Sequence, residues 1–151
     1  MGLDMYLSKK IYLGANYEHN NVQGKIELTQ GKDNKPVSIN LKKVTYIIES
    51  AAYWRKANAI HNWFVENVQD GTDDCGYYYA EASKLKELIA ECKKVLASKD
   101  NAAELLPTTS GFFFGGTDYD EWYFQSMEDT IQQLEEALID ESQEFEYHSS
   151  W

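Results

Sequence analysis

A single arginine stands in this 151-residue chain, and its surroundings make it the first place to look for chemistry. Arg55 is followed directly by Lys56 and, six positions on, by His61, in the run Tyr53-Trp-Arg-Lys-Ala-Asn-Ala-Ile-His61. A guanidinium presents a planar fork to phosphate or carboxylate that lysine cannot copy, while the lysine adds a point charge. An imidazole serves as acid, base or ligand anchor. Tyr53, Trp54, Tyr78 and Tyr119 supply rings on which a base can stack. These seven residues are the candidate site for a small anionic, nucleotide-like ligand. Each also has a plainer use. His61 falls within the apolar arc of a helix, where a hydrogen bond to a carbonyl would satisfy it. Arg55 can end in a weak surface ion pair.

Other chemistries find less footing. Gln69-Asp-Gly-Thr-Asp-Asp74 lacks the alternating oxygen ligands, central glycine and closing glutamate of a calcium loop, and reads as a helix-ending turn. Cys75 and Cys92 lie seventeen apart with no close cysteine or histidine pair, and His19, His61 and His148 are scattered. No metal site and no cofactor are expected. Gly111-Phe-Phe-Phe-Gly-Gly116 lacks the lysine and hydroxyl of a phosphate loop and reads as a short buried strand filling the core. There is no Gly-x-Ser-x-Gly nucleophile turn, so no catalytic residue is assigned. Cys75 with His61 is a thiol–imidazole pair by arithmetic alone.

The formal charge of −11 is unevenly spread. Residues 1–70 carry +2, residues 71–99 are neutral, and residues 100–151 carry −13 without one Lys or Arg. Such a segment repels phosphate backbones, so direct nucleic-acid binding is not expected. It suits a basic protein surface instead. Glu121, Glu128, Asp129, Glu136 and Asp140 would form that partner-binding face, with Trp122 as its anchor.

The elements that must position these residues follow from periodicity. Leu3, Met5 and Leu7 alternate with Asp4, Tyr6 and Ser8, the pattern of a half-buried strand that Ile11 and Leu13 can continue. Gly14 to Gly24 reads as a loop. Two further alternating runs, through Ile26 and Leu28 and through Val37, Ile39 and Leu41, flank the turn residues Gly31–Pro36 and predict a hairpin. Val44 to Ile48 is a fourth strand. From about Tyr53 the period turns helical, with Tyr53, Trp54, Ala57, Ile60, His61, Phe64, Val65 and Val68 in one arc, as far as Asp70-Gly71. Leu85, Leu88, Ile89, Cys92, Val95 and Leu96 mark a second helix. A third runs from about Tyr119 to Asp140, capped by Thr117 or Asp118. Residues 141–151 alternate as a tail or final strand.

The fold class expected is α+β: a small antiparallel sheet from the N-terminal third packed with about three amphipathic helices in one domain, 1–151. At 43% hydrophobic and 26% charged the composition is that of a globular protein. No run approaches the ~18–20 apolar residues of a membrane span, and no signal peptide is read at the N-terminus. Two cysteines suit a reducing cytosol. The oligomeric state is left open.

Three blocks are familiar together: Met1-Gly-Leu-Asp-Met-Tyr-Leu7, Tyr53–Val65 and Leu105–Tyr123. Through them nearly the whole chain resembles a family of small proteins encoded by phages and prophages. That family carries no catalytic assignment to transfer. The resemblance implies a protein working in the cytoplasm of a bacterial host and acting against host defence. The lead expectation is a non-enzymatic protein that sequesters a nucleotide-like ligand. The rival is an acidic inhibitor of a host protein whose face imitates nucleic-acid charge. A third class, a hydrolase of nucleotide signals, would need His61 to be catalytic.

Overall fold

A computed structural model of the chain describes residues 2–14, 17–19 and 23–151. They group into two compact units, one of residues up to Lys9 together with Glu49–Trp151, the other of Lys10–Ile48.

In the first unit, side chains two apart share a face of a strand, and burial follows that period. In β1 (Asp4–Tyr12), Met5 and Leu7 are buried, as is Leu3 just before it, while Tyr6 is exposed. In β4 (Tyr46–Arg55), Ala52 and Trp54 are buried and Tyr53 and Arg55 exposed. β5 (Tyr77–Ala80) pairs antiparallel with β6 (Glu144–Ser150), Tyr77 opposite His148 and Ala80 opposite Phe145. The four strands form an antiparallel sheet in the order β4-β1-β6-β5.

Helices α1 (Asn58–Asn67), α2 (Ala82–Ala97) and α4 (Glu121–Ala137), with the single turn α3 (Ala102–Leu105), pack on the apolar side of this sheet. Ile60 and Phe64 of α1, Leu85, Leu88 and Cys92 of α2, and Met127 and Leu134 of α4 join Leu3, Met5, Phe145 and Tyr147 in one core. Phe64 stacks on Tyr147 with ring centroids 3.9 Å apart. Trp54 Nε1–H donates to Thr130 Oγ1 at 2.9 Å, so a buried indole finds the partner that burial demands. The α+β class is therefore as expected from the sequence.

Several local expectations are corrected. Tyr53 and Trp54 belong to strand β4, and the helix begins only at Asn58. Two adjacent aromatics fit a helical arc, but their alternating burial and the strong β preference of aromatic residues make them strand. The third helix starts at Glu121, capped by Asp120, whose Oδ1 accepts from the Tyr123 N–H at 3.1 Å, rather than by Thr117 or Asp118. Gly111–Gly116 is a turn: the Phe114 N–H donates to Gly111 O, Phe114 is buried, and Phe112 is 94% exposed. Tyr77–Ala80 is a strand that the triple tyrosine did not announce. Residues 144–150 settle the choice for the tail as a strand.

The second unit holds the expected hairpin in a shorter form, β2 (Leu28–Gln30) with β3 (Lys35–Val37), in register Leu28 to Val37; Ile26 and Ile39 lie outside the paired strands and Leu41 begins a 3-10 turn. Its turn uses Gly31 and Asn34 at positive φ. A 3-10 turn, Leu41–Lys43, follows, its first residues capped by the Asn40 side chain. The loop expected over Gly14–Gly24 falls partly outside the described residues.

Candidate functional site

Three stretches distant in sequence meet where β4 turns into α1. The Lys56 N–H donates to Leu3 O at 2.8 Å, and the Leu3 N–H donates to Phe113 O at 3.0 Å. The buried Asn58 amide completes the junction. Its Nδ2 donates to Phe114 O at 3.1 Å and Gly116 O at 2.7 Å, and its Oδ1 accepts from the Thr109 N–H at 3.1 Å. Every hydrogen-bonding direction but one acceptor lone pair of that amide is spent on holding residues 109–116 against the start of α1. The stretch through Leu3, the β4–α1 turn and residues 109–116 are thus sewn to one another here.

The junction leaves a cleft of about 460 Å³, within the ~300–1,000 Å³ usual for small-molecule pockets. Arg55 and Lys56 line one part of it, Gly115 and Gly116 another, and Asp118, Asp120 and Trp122 a third. Lys56 sits at φ +55°, a left-handed conformation rare for a residue with a β-carbon. Gly115, at φ +89°, is what lets the chain pass it: a Cβ there would stand 3.1 Å from Lys56 Cβ. Among the described residues Lys56 forms no ion pair, and the 58%-exposed Arg55 has only Asp4 Oδ1, at 3.9 Å from its Nε. Neither cation is locked to a carboxylate.

The acids of the cleft are not equivalent. Asp120 is engaged as the α4 cap and offsets the positive end of that helix, so the helix terminus does not add to the pull on anions. Asp118 is exposed and free to accept hydrogen bonds from a ligand's hydroxyl or amino groups. Trp122 is 82% exposed and presents a ring that the core does not use. Thr108 is braced from behind, its Oγ1 donating to Thr117 O and its N–H to the Tyr119 hydroxyl. The Ser126 hydroxyl donates to Tyr123 O, which leaves it no base to activate it.

Of the seven residues singled out for a ligand, the structure brings only Arg55 and Lys56 into this cleft. Tyr53 lies on the open face of the sheet, its hydroxyl donating to Asp4 Oδ1, a bond that raises its pKa. Trp54 is buried against Thr130. Tyr78 donates to Asp74 Oδ1, which likewise raises its pKa. Tyr119 backs Thr108 and packs edge-on against Tyr123. His61 lies elsewhere, 1% exposed, with Nδ1 2.8 Å from the Tyr147 hydroxyl and Nε2 3.0 Å from Asp73 Oδ2. Burial pushes the Tyr147 phenol well above its ordinary pKa, so it keeps its proton and can donate to Nδ1. Nε2–H then donates to Asp73. With both nitrogens engaged, His61 has none left to take a proton from a substrate.

The partner-binding candidates of the rival reading are displayed on α4 and just after it. Glu121, Glu128, Asp129 and Glu136 are exposed with Trp122, and Asp129 accepts from the Gln125 amide. Asp140 is held below the usual carboxylate range by the Ser142 hydroxyl and the Gln143 amide. Residues that the sequence did not assign to a site are Asn58, Gly115, Gly116 and Asp118 at the cleft, and Asp73 beside His61. No group of three or more His, Cys, Asp or Glu among the described residues is placed to hold a metal ion. No helix among them is long and apolar enough to cross a membrane. Comparison with models of protein families, with curated proteins and with solved structures finds no match.

Proposed function

We propose that the chain is a binding protein for a small anionic ligand bearing an aromatic ring, a nucleotide in class, held in the cleft at the β4–α1 turn. The observation that carries the reading is the Arg55–Lys56 pair. Two adjacent cations line one cleft, one of them held in a left-handed backbone conformation and neither firmly paired. Strained residues of this kind cluster at functional sites. Phosphate oxygens would take the guanidinium fork and the ammonium. The base would stack on Trp122, and Asp118 would accept from a sugar hydroxyl or a base amino group. The mixture of charges favours one or two phosphates over a polyphosphate, which the two carboxylates would repel.

The cleft holds no hydroxyl or thiol paired with a base, which favours retention of the ligand over its hydrolysis. Joined to the phage-family resemblance, the reading becomes sequestration of a host nucleotide signal. The test is incubation of the protein with a mixture of cyclic and linear nucleotides, followed by desalting, denaturation and mass spectrometry of what is released. One nucleotide recovered intact from the wild type, and lost from Arg55→Ala, is the expected result. Release of a degraded product would replace sequestration by hydrolysis, and release of nothing would end the reading.

A second reading rests on a different observation. Among the described residues, Glu121, Glu128 and Glu136 form no ion pair, and Trp122 stands exposed among them. A basic host surface would complement that face. Lys replacement of Glu128, Asp129 and Glu136 together abolishes capture of such a partner under this reading, and leaves nucleotide binding untouched.

A further inference from the structure

A second cavity, of about 440 Å³, opens on the other side of the Phe112–Phe114 turn. It is walled by Phe112, Phe113, Phe114 and Trp151, with Asp73 the carboxylate among its lining residues and no Lys or Arg. The rings stand at steep angles in pairs, Phe112 to Phe113 at 87° and Phe114 to Trp151 at 71°. Asp73 is fixed in place: Oδ2 accepts from His61 Nε2 at 3.0 Å and Oδ1 accepts from Trp151 Nε1 at 3.0 Å. His61 is itself anchored by the buried Tyr147 hydroxyl. The Asp73 side chain is 27% exposed and lines the cavity, so its charge is not sealed from it.

We propose that this aromatic cavity with its anchored carboxylate is a binding site for an alkylammonium cation. A carboxylate repels anions, and aromatic faces attract cations through their quadrupole, most strongly where water is partly excluded. A guanidinium fork aims at both oxygens of a carboxylate together, and here it would have to share each oxygen with an N–H already bonded there. A methylated ammonium needs only charge and ring faces, and matches what is left. The site is independent of the cleft at Arg55, which lies across the turn and has the opposite charge preference.

The test is an NMR titration of the full chain with choline and with its neutral isostere 3,3-dimethyl-1-butanol, read at the Trp151 indole N–H that bonds to Asp73. That resonance is identified by its loss in Trp151→Phe. Choline shifts it saturably and binds at least about tenfold tighter than the isostere. Asp73→Asn weakens choline by about tenfold or more and leaves the isostere unchanged. Because Asp73→Asn disturbs the bonds to His61 and to the Trp151 indole that reports the titration, Phe112→Leu, which leaves both in place, serves as a second variant. Phe112 is almost wholly exposed, so the fold survives, and choline alone is weakened. A peptide containing trimethyl-lysine separates the two sources of such a cation. Tighter binding than choline identifies a protein side chain, and weaker binding a free small molecule; either supports the site. Equal binding of choline and isostere, no saturable shift, or indifference to both variants would overturn it.

Discussion

Lys56 holds a conformation that costs a residue with a β-carbon about 1–2 kcal/mol and costs glycine almost nothing. Its backbone N–H bond to Leu3 would serve glycine equally. Lys56→Gly is therefore expected to leave stability unchanged or raise it by up to about 1 kcal/mol in urea denaturation. Nucleotide binding should fall at least tenfold in the same variant. A loss of stability instead would mean that the aliphatic stem, which runs beside Gly2 and Gly115, is held for packing. Tyr147 obeys the opposite logic. Its hydroxyl is buried on His61 Nδ1, so Tyr147→Phe strands an imidazole nitrogen and lowers stability by about 1–3 kcal/mol. A neutral result would show that Nδ1 finds another partner.

At the scale of elements, Asn58 is the clip that sets the cleft, joining the first turn of α1 to Phe114, Gly116 and Thr109. Asn58→Asp should destabilise more than Asn58→Ala in thermal unfolding. It loses both donors and sets a buried carboxylate against two carbonyl oxygens. Equal effects would contradict that geometry. The helical stripes of α2 and α4 are legible in the sequence because their periods are uninterrupted, and the hairpin because of its turn residues between Gly31 and Asn34. The end of β4 is not, because Tyr53-Trp54 satisfies strand alternation and a helical arc alike until a partner strand decides between them. Arg55 and Lys56 stand out by type alone. Asn58 and Asp73 do not, since what distinguishes them is a set of hydrogen bonds to residues 12 to 78 positions away. Trp122 could be read as exposed, but its place beside the two cations depends on how the chain returns after Gly116.

At the scale of the whole molecule, the core formed by the described residues holds three acids that burial keeps protonated. Burial pushes the Cys92 thiol up to about 12 and raises the Tyr123 and Tyr147 phenols above their ordinary 10.0. The unfolded chain gives up these protons first, so above about pH 9 it binds fewer protons than the folded chain and stability falls as pH rises. Cys92 alone contributes up to about 1.4 kcal/mol per pH unit between roughly 9 and 12. Urea midpoints should hold steady from pH 7 to 8.5 and drop from 9 to 10, and Cys92→Ala should flatten the first part of that drop. The C-terminal third carries −13 of charge within a net of −11, yet the cleft sets cations from the β4–α1 turn against aromatic and acidic groups from that third. Long-range repulsion therefore slows an anion's approach without removing the local pull, and added salt should speed association. The most direct measurement is calorimetric titration of the wild type and of Lys56→Gly with the nucleotide recovered by mass spectrometry. The account predicts one site per chain in the wild type and binding at least tenfold weaker in an equally stable variant. Unchanged affinity in Lys56→Gly would contradict it.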